Sequence, residues 1–125
     1  MLEKEKTEMK ALLITIPSNI EWSDYQKEID AVKDSKMEMN FKCSHFPQEV
    51  TVGDRCYVLY RGNILGWMRI SSFREKSFDC ATTGTPWSGK FIGRSGKFHK
   101  INPVPYKGFQ GFRYIDDSNF MQLDK

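Results

Sequence analysis

The sequence predicts an α+β fold, a small curled antiparallel β-barrel covered by one or two helices, and three observations predict it. A single helical pattern follows an opening apolar strand, at least four strand-like segments come after it, and glycine and proline become frequent from Thr85 onward. That order argues against a parallel βαβ repeat and for a curled sheet with a helix across it. At 125 residues the chain fits one domain, read as residues 11–125 behind a charged, flexible segment 1–10.

The opening strand is Ala11 to Pro17, a compact apolar run that is β-branched in its second half and ended by proline. Trp22, Tyr25, Ile29 and Val32 then recur at spacings of three, four and three, which predicts a helix from about Asn19 to Asp34 with these four on one face. Ser18 or Ser23 is its expected cap. From Met37 to Phe46 the pattern changes to period two, with Met37, Met39, Phe41 and Cys43 alternating against Glu38, Asn40, Lys42 and Ser44, as in a half-buried strand. A tight turn at Val52-Gly53-Asp54 leads into a hairpin: Arg55 to Tyr60, a turn at Arg61-Gly62-Asn63, and a return from Ile64 to Phe73. Another strand is expected over Ser77 to Thr83. Beyond Thr85 the glycines and prolines predict short, bent strands linked by loops.

Charge is distributed unevenly. Residues 39–113 hold twelve Lys or Arg against four acids, a net of +8, while residues 1–38 net −3 and residues 114–125 net −2. A polyanion would therefore meet the middle and late chain. Cys43, Cys56 and Cys80 are odd in number and lack CxxC spacing, so neither a disulfide framework nor a zinc site is expected. No apolar run approaches the roughly 20 residues of a membrane span, and the acidic, polar start does not read as a secretory signal. The expected location is cytoplasmic, with no membrane partner.

The segment from Pro86 to Arg113 carries six basic residues, six aromatics and no acid. Lys90, Arg94, Lys97, Lys100, Lys107 and Arg113 are the candidate phosphate contacts, since Lys and Arg displace condensed counterions from nucleic acid. Trp87, Phe98 and Phe109 are candidates for stacking a base, with Gln110 able to read a base edge and His45 as a further pocket residue. Glycines beside the aromatics let the backbone approach a ligand. The plainer reading is that these aromatics fill the barrel, the glycines form its corners and the cations keep edge strands solvated. Trp22 and Trp67 are expected in the core, leaving Trp87 as the ligand-facing tryptophan.

Gly53-Asp54, the strand Cys56-Tyr57-Val58-Leu59-Tyr60 and the stretch Gly66-Trp67-Met68-Arg69-Ile70 together are similar to the strand-turn-strand signature of PUA-like domains, the superfamily that includes EVE and ASCH domains. The resemblance covers residues 11–75 in order of elements, and its motif covers 53–70. It implies a small barrel with a cleft for a nucleotide, often a modified or flipped base in DNA or RNA. No ASCH catalytic set is found in this chain.

Neither a phosphate-binding GxxxxGK[ST] loop nor HExxH, GxSxG or a paired-carboxylate constellation is present. The expectation is a nucleic-acid-binding module without catalysis, cofactor or metal. The alternative is a nucleoside-binding protein or small enzyme of the same fold, with His45, Cys43 or His99 near the cleft. A third reading is a protein-interaction domain whose exposed aromatics meet a partner protein. DNA and RNA fit the pattern equally, and no motif sets the oligomeric state.

Overall fold

The computed structural model describes residues 10–33, 38–79, 86–109 and 111–116. Strand β1 (Lys10–Ile16) begins one residue earlier than the apolar run suggests, because Lys10 pairs with Asp116 and its ammonium lies 3.2 Å from Glu49. Helix α1 (Trp22–Lys33) buries Tyr25, Ile29 and Val32, three of the four residues on the predicted face, and leaves Trp22 half-buried. Its start differs from expectation. Glu21 is the first carbonyl to accept, from the amides of Asp24 and Tyr25, and Ser23 already lies inside the helix. The Ser18 carbonyl instead accepts two hydrogen bonds from the Arg61 guanidinium.

Strand β2 (Met39–Cys43) keeps the period-two pattern, with Met39, Phe41 and Cys43 turned inward and Asn40 and Lys42 exposed. The turn before β3 (Arg55–Tyr60) is closed by the Asp54 amide on the Thr51 carbonyl. Gly53 adopts φ 99° there, and the Asp54 carboxylate accepts from the Thr51 amide at 2.8 Å. Tyr60 pairs directly with Asn63, so the hairpin into β4 (Asn63–Asp79) has a two-residue turn. Arg61 (φ 48°) and Gly62 (φ 84°) both occupy the left-handed region, the combination whose twist matches two antiparallel strands.

The last third departs most from expectation. Instead of short strands, β5 (Pro86–Pro105) runs for 20 residues and pairs antiparallel with β4 from Asn63↔Pro105 to Asp79↔Pro86. Ser77 to Asp79 therefore belong to β4 rather than to a separate strand, and residues 80–83 of that expectation lie outside the described residues. Three register shifts absorb the extra residues, and Gly96 (φ 87°) sits in one of them. Pro86 and Pro105 fall at the strand ends, where a missing N–H does least harm.

The strand order is β2-β5-β4-β3-β1-β6, with β6 at Phe112–Asp116. The sheet is mixed rather than antiparallel: the chain returns through α1 and β2, and β3 lies parallel to β1, with Leu12 opposite Cys56 and Ile16 opposite Tyr60. No ladder joins β2 to β6 among the described residues, so the sheet is not closed. It is nevertheless strongly curled, because Met39 from one edge and Phe112 and Tyr114 from the other pack against one core cluster. Residues 44–50 bridge the two edges: the Gln48 amide donates to the Tyr114 hydroxyl at 2.8 Å, and the His45 ring lies 5.2 Å from Phe112.

Both faces of β1 and β3 are buried. Leu12, Ile14, Cys56 and Val58 face α1, while Ala11, Leu13, Tyr57 and Leu59 face Ile64, Trp67 and Ile101 on the other side. One helix covers the sheet among the described residues. None there is long and apolar enough to cross a membrane.

Candidate functional site

Strand β5 carries Ile92 and Arg94 two residues apart, and a strand turns such residues to the same face. Ile92 is fully buried, so Arg94 follows it inward and is only 2% exposed. Its backbone pairs with Ile70 of β4 on one side and Met39 of β2 on the other. Across the gap stands the inner face of α1, and Arg94 Nη1 donates to the Tyr25 hydroxyl at 3.0 Å.

The connection from β1 into α1 is tied down from the opposite end of the sheet. The Tyr60 hydroxyl donates to the Ile20 carbonyl at 2.5 Å, Arg61 Nη2 donates to the Ser18 carbonyl at 2.8 Å, and Trp22 packs on Tyr25 and Tyr60 with ring centroids 5.3 and 5.2 Å apart. These contacts hold α1 in place. Between helix and sheet they leave a pocket of about 270 Å³. Thr15, Tyr25, Glu28, Asn40, Lys42 and Arg94 supply its polar groups, and Ile16, Ile20 and Met39 are among its apolar wall.

Two buried polar atoms in this lining have no hydrogen-bond partner: Arg94 Nε and Thr15 Oγ1. Such atoms are uncommon in native proteins, and each costs on the order of 1–3 kcal/mol, more when the group is charged. The surroundings do not neutralise the guanidinium. Burial pushes the Tyr25 phenol up despite the opposing pull of Arg94, and burial pushes the Cys56 thiol up to about 11, so both are uncharged at neutral pH. For Arg94 itself burial works against the charge; Tyr25 and Cys56 favour it by attraction only once they ionise at alkaline pH, while the Tyr25 hydrogen bond and the Glu28 carboxylate also support it, and together these prevail. Arg94 is a cation with donor capacity left over. A planar guanidinium of this kind accepts a carboxylate, a phosphate or the paired acceptors of a base edge.

The other predicted residues are distributed. Lys90 is half-buried, 3.6 Å from Glu75 and 6.0 Å from the Phe46 ring. Lys97, Lys100 and Lys107 are exposed, as is Arg113, whose guanidinium lies 4.9 Å over Phe109. Arg113 is on β6, four strand spacings from β5, or roughly 19 Å along the sheet. The predicted cations therefore form no single row. Phe98 is 8% exposed and belongs to the core, 6.0 Å from Trp22. Phe109 packs edge-on against Tyr106 at 6.1 Å. His45 is exposed beside Ser44 and does not line the pocket. Trp87 pairs with Phe78 through the backbone, its side chain lying outside what is described, and Gln110 lies outside the described residues. Trp67 is in the core as expected.

A second cleft of about 170 Å³ lies between Trp22, Leu65, Phe98, Lys100, Ile101 and Pro103. Neither unpartnered buried atom belongs to it, so it has less with which to orient a ligand. Thr15 and Tyr25 were not among the sequence candidates. The signal that could have found the pocket was the shared parity of Ile92 and Arg94. No protein-family model, curated protein or solved structure matches this chain.

Proposed function

We propose that the chain is a PUA-like module, its sheet rolled toward a barrel, that binds DNA or RNA without catalysis and draws one nucleotide unit into the pocket between α1 and the sheet. The observation that carries this reading is that the pocket is walled by Arg94, a buried cation whose Nε has no hydrogen-bond partner, and by Thr15, whose buried hydroxyl has none either. At about 270 Å³ the pocket falls just below the roughly 300–1,000 Å³ of sites for drug-sized ligands, which suits a single base or modified base. Arg94 donates to an acceptor of the bound nucleotide unit, and Thr15 completes its hydrogen bonding. Exposed Lys97 and Lys100 on β5 attract the flanking phosphates.

A second reading, a binding protein for a free nucleoside-like molecule, is favoured by one observation: the exposed cations form no continuous track, and the pocket needs none of them. Fluorescence-anisotropy titration of labelled single- and double-stranded DNA and RNA, with and without modified bases and at several salt concentrations, separates the two. Under the nucleic-acid reading, Lys97→Ala with Lys100→Ala lowers the slope of log K against log salt by about 2, roughly 0.9 per lost phosphate contact. Arg94→Met weakens binding of the nucleotide unit held in the pocket. Absence of binding to every oligonucleotide, with a nucleoside still binding, would replace the first reading by the second.

A further inference from the structure

The group that enters the pocket meets a buried cation that is in the field of one carboxylate, Glu28, but forms no ion pair with it among the described residues. Tyr25, which the guanidinium touches, and Cys56, which also acts on its charge, are both neutral at physiological pH. Glu28, in the middle of α1, lines the pocket but is exposed and forms no ion pair with Arg94 among the described residues. Lys42, exposed on β2, adds a second positive charge to the lining. Thr15 Oγ1 is a buried hydroxyl without a partner in the same wall. A buried cation is strongly disfavoured unless an opposite charge meets it, and a guanidinium fork is shaped for two oxygens of one anion.

We propose that the group held against Arg94 is an oxyanion, a phosphate monoester or a carboxylate, rather than a neutral base edge. This rests on the same pocket as the proposed function and specifies the charge that the proposed function leaves general. A terminal phosphate of a nucleic acid, a free nucleotide and a base bearing a carboxylate all present this chemistry. The anion accepts from the Arg94 guanidinium and from the Thr15 hydroxyl.

The test is calorimetry and thermal unfolding of the whole chain with inorganic phosphate, sodium acetate, the four nucleosides and their 5′-monophosphates, against sodium chloride at equal ionic strength. Labelled oligonucleotides with a 5′-phosphate or a 5′-hydroxyl form the second arm. Nucleoside monophosphates are expected to bind at least tenfold more tightly than the nucleosides, and phosphate to raise Tm where chloride does not. Arg94→Met should abolish that rise while changing the unliganded protein's Tm little, since removal of a buried charge without an ion pair offsets the lost hydrogen bond to the Tyr25 hydroxyl. Thr15→Val, nearly the same shape, should weaken anion binding several-fold and serves if the Arg94 variant does not fold. Nucleosides that bind as tightly as their monophosphates, or a complete lack of response to any anion, would overturn the oxyanion. Anion binding that depends on Arg94 with no oligonucleotide bound in either form would instead overturn the nucleic-acid reading and leave the oxyanion standing.

Discussion

The two faces of the sheet treat their cations differently. On the face away from α1, Arg55 stacks 3.8 Å over Trp67, Arg69 lies 5.1 Å from the same ring, and the His99 ring stacks parallel to Trp67 with centroids 3.9 Å apart. Arg113 covers Phe109 there in the same way. On the face toward α1, Arg94 has one neutral hydrogen bond and an unpartnered Nε. Cation–π contacts are worth roughly 0.5–2 kcal/mol and use the charge internally. Counting basic residues therefore does not locate a site here. Most of the charge that sits near aromatics is engaged with them, and the cation with capacity to spare is the one hidden from solvent.

The largest expected effect tests the engaged face. Trp67→Ala removes the ring on which Arg55, Arg69 and His99 converge and leaves a cavity, and it should lower the unfolding free energy by about 3–5 kcal/mol in denaturant titration. A loss under 1 kcal/mol would mean that this stack is a surface feature rather than a closed core.

Next comes alkaline pH, which acts on the α1 face. Cys56 is fully buried there with its pKa raised from 9.0 to about 11. The unfolded thiol loses its proton first, so the stabilisation is complete below pH 9 and is lost as pH rises toward 11, by up to roughly 3 kcal/mol. The raised pKa of Tyr25 acts in the same direction. Cys56→Ala should flatten the profile between pH 9 and 11, and an unchanged profile would show that the thiol is not the group responsible.

Gly66→Ala should follow in size. A Cβ there would stand 2.6 Å from Phe98 Cζ and closer still to the His99 carbonyl oxygen, backbone that cannot give way easily. Overpacking of this kind costs about 1–3 kcal/mol, measurable as a lower Tm. It explains why the strand after the hairpin carries a residue without a side chain at this point. The smallest effect belongs to the exposed lysines: Lys97→Ala and Lys100→Ala should each change stability by no more than about 0.5 kcal/mol. A larger change would mean that these side chains serve the fold rather than a partner.

Much of the scaffold was legible because it depends on near neighbours in the chain. The helix follows from Tyr25, Ile29 and Val32, the β3–β4 hairpin from two apolar strands around Arg61-Gly62, and β2 from its alternation. The length of β5 was not legible. Glycines and prolines that ordinarily end strands are absorbed here by register shifts against β4, which no local pattern records. Phe98 likewise read as a ligand-facing ring, and only its position over Gly66 and beside Trp22 makes it core.

By itself the sequence determined an α+β chain with one covering helix, a tight hairpin, buried Trp67 and a strongly basic middle. The tertiary structure alone decided that β3 lies parallel to β1, that the sheet curls without a closing ladder, and that Arg94 points inward. The physical reason is range. Periodicity and turn chemistry act over two to four residues, whereas Arg94 meets Tyr25 across 69 positions of chain, at a place defined by which strands pair and in what register.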